Sequence, residues 1–169
     1  LSLSGGSDLS DYYFSLGYYD EEGSTIGTGF ERYNITLKNN FRLTDKLTAG
    51  IALFGTQSNK TNFIADADAS VNPANYSRNA NPYLKPYNED GSFQYDPDIN
   101  GFGDAYIPFN FLEERQNTSY ELKNQSLKAI FDINYQILND LKFTSQLGLQ
   151  IDNSDTEKYL GQETYNTRK

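Results

Sequence analysis

Apolar residues recur at every second position along most of this chain. From Tyr12 the even positions read Tyr12, Phe14, Leu16 and Tyr18, with Ser15 and Gly17 between them. From Arg32 the odd positions Tyr33, Ile35, Leu37, Phe41 and Leu43 are apolar, interrupted only by Asn39. Arg32, Asn34, Thr36, Lys38, Asn40 and Arg42 alternate with them. Leu47, Ala49, Ile51 and Leu53 form the next set. Leu127, Ala129, Phe131, Ile133, Tyr135 and Ile137 then stand opposite Ser126, Lys128, Asp132, Asn134 and Gln136. Finally Leu141, Phe143, Leu147, Leu149 and Ile151 oppose Lys142, Thr144, Gln146, Gln150 and Asp152. A period of two is the signature of β-strands with two unlike faces. With the stub Leu1-Ser2-Leu3-Ser4, the pattern predicts an all-β chain of six strands, near 1–5, 11–19, 31–43, 46–58, 119–138 and 140–152, and no helix.

Strand length and spacing narrow the class. Strands of soluble sheets run to about five or six residues, whereas the alternation persists across 32–43 and 126–137. A membrane-spanning β-strand needs roughly 9 to 11 residues when tilted. Tyr18, Tyr19, Tyr33 and Tyr135 fall near strand ends, where an aromatic girdle would meet the lipid–water boundary. Periodicity alone fits a soluble sandwich equally well, because both architectures rest on the same alternation. The connections separate them. Gly5 to Ser10, Thr44-Asp45-Lys46 and Asn139-Asp140 are short and rich in turn formers. Asp20 to Gly29 and the stretch from Asn59 to Asn117 are long. Short and long connections in alternation are what an up-and-down outer-membrane barrel produces. A compact soluble domain seldom carries a loop of that length. The expected fold is therefore an antiparallel meander, about six strands of a large transmembrane β-barrel with one long extracellular loop.

Composition excludes several chemistries. The 169 residues include no His, Cys, Met or Trp, but 14 Tyr and 11 Phe. Without Cys there is no disulfide framework or thiolate site, and without His no imidazole base or ordinary transition-metal site. The net charge of −9 argues against a nucleic-acid binder, which needs a basic face. A mean hydropathy of −0.71 does not argue against a membrane barrel, whose strands alternate polar and apolar residues. The chain starts at Leu1 and contains no Met, so it reads as a piece of a longer chain or a mature product cut from one.

Several motifs then point to a family. Leu1-Ser2-Leu3-Ser4-Gly5-Gly6-Ser7 runs from a strand end into a turn. Tyr12-Tyr13-Phe14-Ser15-Leu16-Gly17-Tyr18-Tyr19 is followed by the acidic Asp20-Glu21-Glu22-Gly23. Gly29-Phe30-Glu31-Arg32-Tyr33-Asn34 opens the next strand. In this order they resemble the early barrel strands of SusC/RagA-type TonB-dependent outer-membrane transporters. The resemblance covers 1–59 well, and beyond it only the strand–turn–strand of 125–152. It implies a barrel of about 22 strands with a plugged lumen, in the outer membrane of a Gram-negative bacterium. It further implies import of glycan or peptide fragments, energised through TonB, beneath a SusD-like surface lipoprotein. The partners so implied are that lipoprotein, TonB by way of the missing N-terminal region, an oligosaccharide or peptide substrate and outer-membrane lipid, with no nucleic acid. Neither plug nor TonB box lies in this stretch, and six strands cannot close a barrel. The competing expectation is a soluble glycan-binding or adhesin module whose Tyr-rich loop is the site. In that case Phe14, Leu37, Ile51, Phe131 and Leu149 would meet in a dry core.

Candidate chemistry is sparse. Asp96-Pro97-Asp98-Ile99-Asn100-Gly101 matches the opening of a calcium loop, but its twelfth position is Ile107 where a bidentate Glu belongs. A Pro/Asx turn explains it better. Asp66-Ala67-Asp68 reads as solvated loop charge. Glu113-Glu114, adjacent in a segment expected to be extended, would point to opposite sides and cannot flank one bond. No catalytic, cofactor-binding or metal residue is assigned, and no enzyme or cofactor is expected. Arg32, Lys38, Arg42, Lys128 and Asp132 read as lumen-lining. The rings Tyr76, Tyr83, Tyr87, Phe93, Tyr95, Phe102, Tyr106, Phe109 and Phe111 of the long loop suit a small core of its own, a substrate or a partner.

Overall fold

The computed structural model describes residues 1–63, 72–99 and 106–168. Six strands form one sheet in chain order: β1 (Ser2–Gly6), β2 (Ser10–Glu22), β3 (Gly29–Thr44), β4 (Leu47–Asn62), β5 (Thr118–Leu138) and β6 (Leu141–Leu160). It is an all-β antiparallel meander. β1 pairs antiparallel with β2, Leu3 opposite Phe14. The later registers follow from single bonds: the Arg42 amide donates to the Leu9 carbonyl, and the Gln136 amide to Lys46. These pairings put like faces together, apolar beside apolar, across the three junctions they join.

The strands overrun the sequence boundaries. β2 and β3 close on each other until the Gly23 amide donates to Thr28 at 2.9 Å, so their connection is only 23–28. β6 continues to Leu160, well past the expected end near 152. Beyond that point both faces are polar, and the alternation that revealed the strand is gone. Among the described residues three short helices also appear where none was expected: α1 (Pro73–Asn79), α2 (Phe111–Gln116) and α3 (Tyr165–Arg168). Each is too short for a helical apolar period to register. Local chemistry starts them instead. Asn72 caps α1 ahead of Pro73, and the Asn110 side chain accepts from the amides of Leu112 and Glu113 to cap α2.

The chain divides into two compact units. The first comprises 1–21, 30–59 and 123–155; the second comprises 22–29, 60–122 and 156–169. The first unit is a bare sheet. Leu37, Phe131 and Leu149 are 39%, 40% and 56% exposed, and no strand residue belongs to the buried apolar core. A sandwich would have buried them against a second layer, and none exists among the described residues. The apolar core lies wholly in the second unit: Ile107, Phe109 and Tyr165, with Tyr76, Ile99 and Phe111 packed on it. No helix of the described residues is long and apolar enough to cross a membrane.

A one-sided apolar band and a folded loop

Within the first unit the two faces carry different chemistry. On the apolar face the stripe of β5 runs from Leu127 to Ile137. At roughly 3.3 Å per residue and a tilt near 45°, that is a band about 24 Å tall, the height of the apolar belt of an outer-membrane barrel. β3 from Tyr33 to Leu43 and β6 from Leu141 to Ile151 have stripes of equal length. The band has an upper margin: the Tyr18 and Tyr33 rings meet at 5.0 Å, and Gln125 donates to Gln57 at 3.2 Å. Tyr19, read from sequence as part of this girdle, faces the other way, and the Arg32 guanidinium lies 5.7 Å over its ring. Alternation requires this, since Tyr18 and Tyr19 are neighbours in an extended strand. Polar residues interrupt the apolar band at Asn39 of β3 and Ser145 of β6. Asn39, between Leu37 and Phe41, has a buried Oδ1 with no hydrogen-bond partner.

The polar face is laced across strands. Asn40 donates to Asp11 at 2.8 Å, Thr56 to Asn34 at 3.3 Å, Thr144 to Asn134 at 3.1 Å and Ser154 to Asn124 at 2.7 Å. Arg32 and Lys38 lie on this face over aromatic rings, Lys38 at 5.6 Å from Phe54. The Arg42 guanidinium donates to the Asp8 carbonyl. Gly50 is buried because Asp132 needs its space: a Cβ there would stand 2.5 Å from the carboxylate. Phe54 on the polar face was not flagged by sequence, since it breaks the alternation of β4.

The second unit is a folded loop, not a tether. Phe109 is fully buried; Tyr76 meets it edge-on at 5.0 Å and Tyr165 at 6.1 Å. The Tyr76 hydroxyl donates to Asp96 at 2.9 Å, and burial first, then that bond, pushes the phenol well above its ordinary value. Asp96 is 1% exposed and uses its other oxygen on the Asp98 amide, while its own amide donates to Phe109. Both carboxylate oxygens are thus engaged by protein donors. Asp66, Asp68, Asn100 and Phe102 lie outside the described residues, and no cluster of three potential metal ligands occurs among those described.

Glu113 and Glu114 sit in the first turn of α2 and not in extended chain; the N-terminal end of a helix favours acidic side chains. They reach different partners. Glu113 faces Arg168 at 3.7 Å and accepts from the Tyr95 hydroxyl. Glu114 accepts the Tyr165 amide at 2.8 Å, but burial raises its carboxyl above the ordinary range despite that bond and nearby Arg168. Arg115 reaches the carbonyls of Gly27 and Asn62. Gly27 has a φ of 75°, and any side chain there would run into the guanidinium.

Glu114 makes a pH prediction with a definite sign. A raised folded-state value means that the folded loop holds the proton more tightly than the unfolded chain. This contribution is complete below the unfolded value and is lost as pH rises through the folded one. Amide-exchange protection at Tyr165, corrected for intrinsic rates, should therefore fall from pH 4 to 8 more steeply than in Glu114→Gln. Superimposable profiles would contradict it.

No known protein-family profile matches the chain. It is similar to TonB-dependent receptor P3 of Formosa agariphila, 27% identical over 164 residues, covering 94% of this chain and 16% of that protein. TonB-dependent receptor P39 of the same organism is 28% identical over 167 residues, covering 98% of this chain and 15% of that protein. The chain thus spans about a sixth of the length of these curated relatives. Among solved structures it resembles a chain of the RagAB peptide importer in its closed-closed state, with a TM-score of 0.66 and 22% identity over 93% of this chain and 17% of that one. Over nearly its whole length the chain is thus similar to proteins named TonB-dependent receptors, and its strands share the fold of one stretch of a RagAB importer chain.

Proposed function

We propose that the parent protein is a TonB-dependent importer in the outer membrane of a Gram-negative bacterium, and that this segment supplies six consecutive barrel strands and one folded outer loop. The observation that carries the reading is the apolar band: about 24 Å tall, matched on β3, β5 and β6, and exposed among the described residues. Lipid is the solvent such a surface suits. The laced polar face, with Arg32, Lys38, Arg42, Lys128 and Asp132, then lines the lumen. Residues 1–169 form part of one barrel domain, and the plug and remaining strands belong to the rest of the parent. The cargo is a glycan or peptide fragment, received together with a SusD-like surface lipoprotein. The relatives named TonB-dependent receptors support the energy source, and the neighbouring RagAB importer supports a two-component arrangement. The segment carries no catalytic role in this reading.

The test is deletion of the parent gene in its own organism, followed by growth on single purified glycans and peptides. Growth should fail on one substrate class and return with the intact gene, but not with a copy lacking its TonB-contacting segment. Normal growth on every substrate, with the parent fractionating away from the outer membrane, would end the reading.

A further inference from the structure

Tyr76, Phe109 and Phe111 of the long loop are spent on its own core, whereas Tyr83 and Tyr87 stand outside it. Tyr83 is 90% exposed, between Pro82 and Pro86, and Tyr87 is 42% exposed. Residues 86–94 form a narrow β-finger. Tyr87 and Phe93 make an isolated antiparallel bridge with rings stacked at 5.5 Å. At its tip the Asn88 amide donates to Ser92 at 2.8 Å, and Gly91, at a φ of 84°, turns the chain. At its base the Gln94 amide donates to Pro86, and the Asn110 side-chain amide donates to both Pro86 and Gln94 at 2.8 Å. Asn110 is 5% exposed, so its one amide both caps α2 and clasps the finger. Glu89 and Asp90 are exposed at the turn. The Ser92 hydroxyl and amide hold the Asp90 carboxyl below the usual carboxylate range, so it stays charged.

We infer that the Pro82–Phe93 finger is a docking knob for a protein partner whose matching surface is a concave, basic pocket. Three features select that occupant. The finger is convex, whereas sites for small ligands are concave and bury most of the ligand. Its exposed side chains include two tyrosines braced by two prolines and a clasped base, with Lys85 exposed between them. Tyrosine is favoured at interface hot spots, and a braced loop loses little entropy on binding. Its tip is acidic, which a basic surface complements and which raises the encounter rate. The inference rests on the importer reading, in which the partner meeting the outer loops is the surface lipoprotein.

The experiment uses the full-length parent in detergent and the purified ectodomain of the SusD-like lipoprotein encoded with it, with binding followed by biolayer interferometry. Tyr83→Ala and Tyr87→Ala should each weaken Kd at least tenfold through faster dissociation, while Tyr83→Phe should lose far less. Glu89→Gln with Asp90→Asn should slow association and flatten its salt dependence between 50 and 300 mM. Heat-modifiable migration of each variant on gels verifies an intact barrel. Kd values within twofold of the parent in both Tyr→Ala variants would overturn the finger and leave the importer reading standing. Loss of oligosaccharide or peptide binding by Tyr83→Ala, with lipoprotein affinity unchanged, would overturn it too by making the finger a substrate contact. A parent that imports its substrate yet never binds the lipoprotein would overturn the partner assignment and the finger together.

Discussion

Leu37→Arg should cost the folded barrel about 2 to 4 kcal/mol, while Thr36→Arg, one residue away, should cost little. Leu37 lies in the apolar band of β3, between Ile35 and Asn39, and is 39% exposed. An arginine there must carry its guanidinium toward the headgroups or drag water into hydrocarbon, and Leu37 lies too far from either margin of the stripe for an easy escape. Thr36 points to the face where Asn34 and Asn40 hydrogen-bond across strands and Lys38 lies over Phe54. The measurement is folding of the full-length parent into lipid vesicles, read by heat-modifiable gel migration and by urea titration. The difference between the two variants is the informative quantity. Equal losses would mean that the faces have been assigned the wrong way round.

Phe109→Ala should have a comparable effect on a different part of the molecule. Phe109 is fully buried between the edges of Tyr76 and Tyr165, and its backbone carbonyl accepts the Asp96 amide. Removing a buried ring from a core of three buried and three flanking residues leaves a cavity that so small a cluster cannot close. Losses of about 3 to 5 kcal/mol are usual for such truncations. Among the described residues no strand residue belongs to this core, so the barrel should survive. Limited proteolysis of the parent in vesicles should cut within 72–117 at far lower protease concentration in the variant, with the heat-modifiable barrel band unchanged. A loop that remains equally resistant would mean that something other than the Phe109 cluster holds it.

Much of the meander was legible because alternation is a direct imprint of a sheet with two unlike faces. Where the imprint stops, so did the reading. β6 past Ile151 reads Asp152-Asn153-Ser154-Asp155-Thr156-Glu157, polar on both sides, and looks like a loop although it is strand. Tyr19 was misassigned because a tyrosine suits a girdle and a lumen equally, and only register separates them. The helices were invisible for a different reason: α2 depends on the Asn110 side chain and on packing against distant residues such as Tyr165, neither of which has a period. Asn110 itself, the most connected polar side chain of the loop, is one asparagine among many in the sequence. Its burial between the apolar Phe109 and Phe111 was the available signal, since a buried amide must be satisfied.

The grip of Arg115 on Gly27 and Asn62 has a consequence for how such proteins can change. Two connections far apart in sequence share a single fastening, and it tolerates only a residue without a side chain at one end. Lengthening or shortening the 23–28 hairpin would shift Gly27 away from the guanidinium, and recombining the long loop alone would leave that carbonyl unclaimed. The two segments are therefore inherited most safely as a pair. An engineer moving the outer loop onto another barrel would have to carry the hairpin with it, although more than thirty residues of strand lie between them.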